Sequence, residues 1–272
     1  GADSYVFNEN LIISLSLIKG DTAFKPPDYE FRLTPIINFN HVEVEENRVL
    51  KADPRLGRHR SDRHIALAEA FFDYHIRNVS DRYDFDSVRI GIQPFSSDFR
   101  GFLFQDSQLG IRFFGDRDNN IFQYNLAWFR RLEKDTNSLL NHIERKIRDD
   151  DIFIANLYWQ DFPVLGFQSQ VTGIYNRNNE AGDFFFNDNE FIERPASFGS
   201  ERGRNYDVVY LGYNGDGHFD RLNLTTSFYT ALGSNRDSAF TDETADIQAF
   251  FFAAEPSIDF DWVRLRGSII YA

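Results

Sequence analysis

The feature that most constrains this chain is a period-two alternation of apolar and polar side chains that returns along its whole length. Near the N-terminus Leu11, Ile13, Leu15 and Leu17 share one face of an extended backbone, with Ser14 and Ser16 on the other. From Tyr29 the apolar series Tyr29, Phe31, Leu33, Ile37 and Phe39 is set against Glu30, Arg32, Thr34, Asn38 and Asn40. Beyond His41 the phase flips, with Val42 and Val44 alternating with Glu43 and Glu45, which predicts a bulge or the end of a spanning segment. Successive side chains of a strand point to opposite faces, so each run reads as a strand with one apolar and one polar face. No window of about 18 residues is uninterrupted apolar sequence, which rules out a transmembrane helix.

The design repeats downstream. Ala66, Ala68, Ala70, Phe72, Tyr74 and Ile76 oppose Glu69, Asp73, His75 and Arg77. Val88, Ile90 and Ile92 oppose Ser87, Arg89 and Gln93, while Leu109, Ile111 and Phe113 oppose Gln108 and Arg112. Further runs follow at Phe122 to Trp128, Leu222 to Leu232 and Val263 to Tyr271. The region 152 to 175 reads either as one bent strand or as a hairpin turning at Asp161 to Gly166. Gly115 to Asn120 and Asn214 to Gly217 read as tight hairpin turns. The stretches 46 to 63, 132 to 150, 176 to 203 and 233 to 244 are longer and charged, and Leu139, Leu140, Ile143 and Ile147 are spaced for one face of a short helix.

Two architectures assemble such strands. A soluble sandwich turns the apolar faces inward; a transmembrane barrel turns them to lipid and keeps the polar faces in its lumen. The chain holds 30 Phe, and aromatics make up 17% of it. Tyr29, Tyr74, Phe95, Phe122, Trp128, Trp159 and Tyr271 fall near strand ends, where membrane aromatic girdles sit. Short turns alternating with long loops point the same way. The expected fold is therefore an all-β antiparallel transmembrane β-barrel with about 11–12 strands, forming a single domain over 1–272 in the bacterial outer membrane. A net charge of −13 argues against nucleic acid as a partner, and zero Cys excludes disulfides, thiolate metal sites and thiol catalysis. The absence of Met reads as a chain that starts beyond its initiator, with any signal peptide already removed.

At Arg89 to Gly101 the sequence is Arg-Ile-Gly-Ile-Gln-Pro-Phe-Ser-Ser-Asp-Phe-Arg-Gly. A strand carrying Arg-x-Gly-x-Gln, followed by a loop with Asp-x-Arg-Gly, resembles the alginate-export type of outer-membrane β-barrel of Gram-negative bacteria. Phe122 to Glu133 and Asp207 to Asp220 are similar to uncharacterised proteobacterial porin-like relatives of that group, and the resemblance spans about 65 to 232. One departure is Ile92, where the exporters' pattern has a basic residue; by its phase Ile92 faces lipid. The resemblance implies a barrel of about 18 strands, of which this chain is expected to supply the N-terminal portion; a complete 12-stranded barrel is the other reading.

Arg32, Arg77, Arg89, Arg112, Arg221, Arg264 and Arg266 fall on the polar phase. A guanidinium keeps its charge and binds carboxylate or phosphate bidentately. The expected function is thus a porin or export-type channel, without catalysis, passing anionic solutes or acidic polysaccharide through an Arg-lined lumen. The rival is a structural ladder in which these arginines pair with Glu30, Glu69 and Asp73. Two other classes are a barrel with a structural or partner role, as a sheath or adhesin, and a soluble carbohydrate-binding β-sandwich. Expected partners are outer-membrane lipid, the anionic solute and a protein in or at the barrel. Asn214, Asp216 and Asp220 approach calcium-loop spacing, a weak pointer to a structural Ca²⁺, although the Asn-Gly-Asp-Gly turn accounts for them alone. No other cofactor is expected: His41, His59, His64, His75, His142 and His218 show no metal-ligand spacing, and no serine is paired with a base.

Overall fold

The structure is a computed structural model that describes residues 4–21, 26–43, 59–135, 138–186, 192–194, 203, 205–236 and 243–272. The alternating segments form strands β1 (Tyr5–Ile12), β2 (Leu15–Lys19), β3 (Tyr29–Glu43), β4 (His59–Asn78), β5 (Phe85–Ser96), β6 (Gln105–Arg117), β7 (Phe122–Arg130) and β8 (Asp150–Trp159). They continue as β9 (Phe167–Asn179), β10 (Phe185–Phe186), β11 (Ile192–Arg194), β12 (Asn205–Phe219), β13 (Leu222–Asn235), β14 (Ala245–Asp259), β15 (Arg264–Arg266) and β16 (Ile269–Tyr271). All but the β10–β11 pair belong to one antiparallel sheet of 14 strands, in the order β1-β3-β4-β5-β6-β7-β8-β9-β12-β13-β14-β15, with β2 also on β3 and β16 also on β14.

Two of these strands are continuations of their neighbours. The register of β1 on β3 ends at Ile12 opposite Ile36 and that of β2 resumes at Leu15 opposite Leu33, without a shift. The interruption faces Pro35, which has no N–H to give the ladder; its carbonyl still accepts from Ile13 N–H at 3.2 Å. The break between β15 and β16 likewise faces Pro256, whose carbonyl accepts from Gly267 N–H at 3.0 Å. The sheet is therefore twelve lines of chain, as the alternation predicts. Among the described residues β1–β2 and β15–β16 do not pair with each other, so the sheet is open between these edges.

Local chemistry explains where the phase changes. No bulge follows His41: Val42 continues on the buried face of Asn38 and Asn40, and β3 ends at Glu43, in line with the end-of-segment alternative. The irregularity lies opposite Pro35 instead: Thr34 pairs with Glu69 and Pro35 with Leu67, leaving Ala68 as an extra residue. On β4, His64 and Ala66 precede this bulge on the face that Phe71 and Asp73 occupy after it. The freed backbone is capped, since Asn141 Nδ2 donates to Leu67 O (3.0 Å) and Ser107 Oγ to Ala68 O. A second bulge leaves Ile76 unpaired between His75 and Arg77.

The hairpins obey turn chemistry, with two differences from the sequence reading. β6 and β7 are joined by Asp118, Asn119 and Asn120, all at positive φ (54°, 56° and 69°), a region Asn and Asp tolerate. β8 and β9 form the hairpin alternative at 160–166. Asn214 to Gly217, however, lie inside β12, and the turn is Asp220–Arg221, with Asp220 at φ 55°. Among the described residues of 138–148 there is no helix; Leu139 takes φ 60° and Lys134 bridges to Asn141.

The strand ends joined through 20–28, 79–84, 118–121, 160–166, 220–221 and 260–263 lie at one rim, and those joined through 44–58, 97–104, 131–149, 180–204 and 236–244 lie at the other. Apart from 20–28, the connections at the first rim are at most seven residues long, and those at the second are eight or more. The sheet is also rolled. Asp98 stands two residues past the end of β5, about 7 Å of chain, yet its carboxylate lies 3.0 Å from the Tyr229 hydroxyl on β13. Six strand spacings separate β5 from β13, about 29 Å along a flat sheet. Only strong curvature brings them together.

The curvature encloses the polar face. Gln93, Gln108, Gln170 and Asn214 are at most 1% exposed, whereas Ile65, Val171 and Leu126 on the opposite face are 61%, 57% and 53% exposed. This inverts the usual distribution, in which polar amides seek water and large aliphatic groups avoid it. The core that exists on the concave side is small: Phe95, Phe104, Ala127, Phe129, Ile152, Ile154 and Ile174.

Candidate functional site

The enclosed face carries a row of charge fixed by register. Glu30 is opposite Asp73, Asp73 opposite Arg89, and Arg89 opposite Arg112, in successive ladders β3–β4–β5–β6. Arg89 donates Nε–H to Asp73 Oδ2 at 2.8 Å, and Arg32 reaches Glu30 at 2.6 Å and Glu69 at 3.8 Å. Among the described residues Arg112 forms no ion pair with a carboxylate. Its Nε–H donates to Asn125 Oδ1 at 2.6 Å.

Aromatic rings space the cations. The Arg89 guanidinium lies 4.2 Å from the Phe71 ring and 5.8 Å from Phe114; that of Arg112 lies 4.3 Å from Phe114 and 5.2 Å from Phe95. The stack Phe71–Arg89–Phe114–Arg112–Phe95 gives two like charges a shared π-face between them, each contact worth about 0.5–2 kcal/mol. Gly91 and Gly110 face one another in the adjacent row. A Cβ on Gly110 would collide with the Phe129 ring, and Gly91 sits at φ 127°, so neither position accepts a side chain without strain.

The β5–β6 connection, 97–104, folds over this face. Ser97 O accepts from Gln170 Nε2 (2.8 Å), Thr172 Oγ1 (2.9 Å) and Asn156 Nδ2 (3.2 Å). Asp98, itself buried, accepts from the N–H groups of Arg100, Phe102 and Leu103, each at 3.1 Å, and from Ser97 Oγ at 3.0 Å. Arg100 forms an ion pair with Glu255 of β14 at 3.0 Å, and Phe102 packs on Tyr229 and Phe251. Phe104 packs on Phe95, the ring against which Arg112 stacks. A network of this many buried hydrogen bonds fixes the loop's place, although Arg100 Nε is buried without a partner among the described residues. The loop thus bridges β5–β6 to β8, β9, β13 and β14 inside the curve.

The other arginines of the expected lining sit elsewhere. The bulge at Ile76 displaces Arg77, which binds Asp86 at 2.8 Å with Arg117 at 2.7 Å and the Tyr124 hydroxyl, a cluster at the short-turn rim. Arg221 is in the β12–β13 turn, Arg264 pairs with Asp259 across the β14–β15 ladder at 2.7 Å, and Arg266 is exposed on that free edge. Asn214 is buried beside Gln170 and Tyr229, Asp216 accepts from Thr225 Oγ1, and Asp220 is in the turn, so the three calcium-loop candidates do not converge. Ile92 keeps the phase of the exposed Ile90, as expected, but is itself 8% exposed between Ala70 and Leu109 in the ladders.

The sequence reading missed Asp98, Gln170, Thr172, Tyr229 and Glu255 as a unit. The signal was in Phe99, Phe102, Leu103 and Phe104, since a connection this apolar is packed against something. No protein-family model matches the chain, and no curated protein matches it.

Proposed function

We propose that the chain forms the wall of a β-barrel in the bacterial outer membrane and serves as a channel for anionic solutes. The observation that carries this reading is the inversion of faces. An apolar surface that runs over most of the convex side, interrupted by Glu9 and Arg63 beside Phe39, is stable against lipid and unfavourable against water. A closed barrel further needs partners for the β1–β2 and β15–β16 edges, because lipid satisfies no backbone group. On the concave side Arg112 offers a permanent charge with no ion-paired carboxylate among the described residues, while the 97–104 loop narrows the adjacent space. Selection then rests on charge and size. The likeness of Arg89–Gly101 to alginate-export barrels extends the proposed solute class to acidic polysaccharides, whose carboxylates suit a guanidinium fork.

The test is planar-bilayer recording of the detergent-refolded chain in a salt gradient. An anion-selective reversal potential supports the channel; cation selectivity contradicts it. The loop's occupation of the concave side favours a second reading, an occluded barrel with a structural or partner-holding role. Absence of conductance even after replacing 98–103 by a short Gly-Ser linker would favour that one.

A further inference from the structure

At the long-connection rim, away from the arginine row, β3 and β4 bring together three side chains that the channel does not use. His41 and Glu43 are two residues apart on β3 and share a face; His59, the first residue of β4, is the direct cross-strand partner of Glu43. One ligand atom from each lies within 4.8 Å of the other two. Glu43 Oε2 is 3.6 Å from His59 Nδ1, and the imidazoles of His41 and His59 stack at 6.4 Å with an interplanar angle of 18°.

A fourth residue completes the logic. His41 Nδ1 is 2.9 Å from Ser61 Oγ, the hydroxyl two residues along β4 from His59. Assigning the proton to Nδ1 lets it donate to Ser61 and leaves the Nε2 lone pair directed away. Protein metal sites use this arrangement: the ring nitrogen not bound to metal is held by a second group that fixes tautomer and orientation. Two imidazoles with one carboxylate is also the donor set of three-ligand zinc sites, in which water keeps the fourth position. All three residues are at least partly accessible, so an ion can enter with its water.

We propose that His41, Glu43 and His59 bind a divalent transition-metal ion of the zinc type. Bonds of about 2.0–2.1 Å require the donors to be about 3.3 Å apart, a closure that side-chain rotation at a sheet end supplies without moving the ladder. The ion would clamp β3 to β4 where their pairing ends, at the root of the 44–58 connection. Ca²⁺ and Mg²⁺ prefer all-oxygen shells and are poor candidates; Cu²⁺ and Ni²⁺ fit the same donors.

The experiment is calorimetric titration of the detergent-refolded full chain with ZnCl₂, with heat-modifiable gel migration as the check on folding. One ion per chain is expected, with binding retained in His75→Ala. His41→Ala and His59→Ala should weaken it more than about tenfold, and Ser61→Ala by about ten- to a hundredfold through loss of the orienting hydroxyl. No Zn²⁺ binding by the folded parent chain, or binding unchanged in a folded His41→Ala/His59→Ala double variant, overturns the site.

Discussion

Arg112 stands directly across the β5–β6 ladder from Arg89, two cations side by side on an enclosed face, and of the two only Arg89 forms an ion pair with a carboxylate among the described residues. The pair separates two roles that sequence alone merges. Arg89 neutralises Asp73, which is 4% exposed, so Arg89→Ala strands a buried charge and is expected to cost about 3–5 kcal/mol. Arg112→Ala loses one charge-assisted hydrogen bond and its ring contacts, about 1–3 kcal/mol. In reversal potential the order inverts: Arg112→Glu should move selectivity toward cations more than a charge change at the paired Arg32. Denaturant titration in detergent and bilayer recording check the two orders, and equal effects at all positions would reduce Arg112 to packing.

Asp98 is the latch of the inward loop. Replacing it with Ala leaves three N–H groups without their acceptor, each costing about 1–3 kcal/mol if it stays buried. The expected result is release of the loop, with faster amide exchange at Arg100, Phe102 and Leu103 and higher unitary conductance. Tyr229→Phe should do the same more weakly, by about 1 kcal/mol. Unchanged protection in Asp98→Ala would show that Phe102 and Phe104 hold the loop alone.

At the short-turn rim Asp84 joins two hairpins. It accepts from Ser80 Oγ at 2.7 Å and from Asn119 N–H at 2.8 Å. The Ser80 bond, helped by the neighbouring amides and opposed by burial, holds this carboxyl below the usual range. With the folded value depressed, its stabilisation is complete above the unfolded value of about 3.9 and is lost as pH falls through the lower folded value. Thermal unfolding followed from pH 5 to pH 2 should therefore show a stability decrement in the parent chain that Asp84→Asn lacks. Identical pH profiles would remove Asp84 from that role.

Most strands were legible because alternation is a property of each segment alone; β14 (Ala245–Asp259) was named by no alternating run, and β12 was read as carrying a turn at Asn214 to Gly217. What was not legible depends on partners. Asn-Gly-Asp-Gly has turn chemistry, yet Asn214 is worth more inside β12, where it bonds Gln170 and lies 2.7 Å from Tyr229 Oη, than at a turn. The polar phase put seven arginines in one lining, but one-residue bulges at Ala68 and Ile76 shift the phase locally, and Arg77 leaves the inner face as a result. His41 and Glu43 declare a shared face by spacing; that His59 meets them is a matter of register, which 18 residues of separation conceal.

The claim on which all else rests is that the convex apolar face meets lipid. Leu126, in the middle of β7 and 53% exposed, tests it most directly. Folding of Leu126→Arg into lipid vesicles, measured by denaturant titration against the parent chain, should lose about 2–4 kcal/mol, the cost of a cation at the bilayer midplane. A change within about 0.5 kcal/mol, as for an ordinary water-facing position, with a chain that stays folded and monomeric without detergent, would contradict the account.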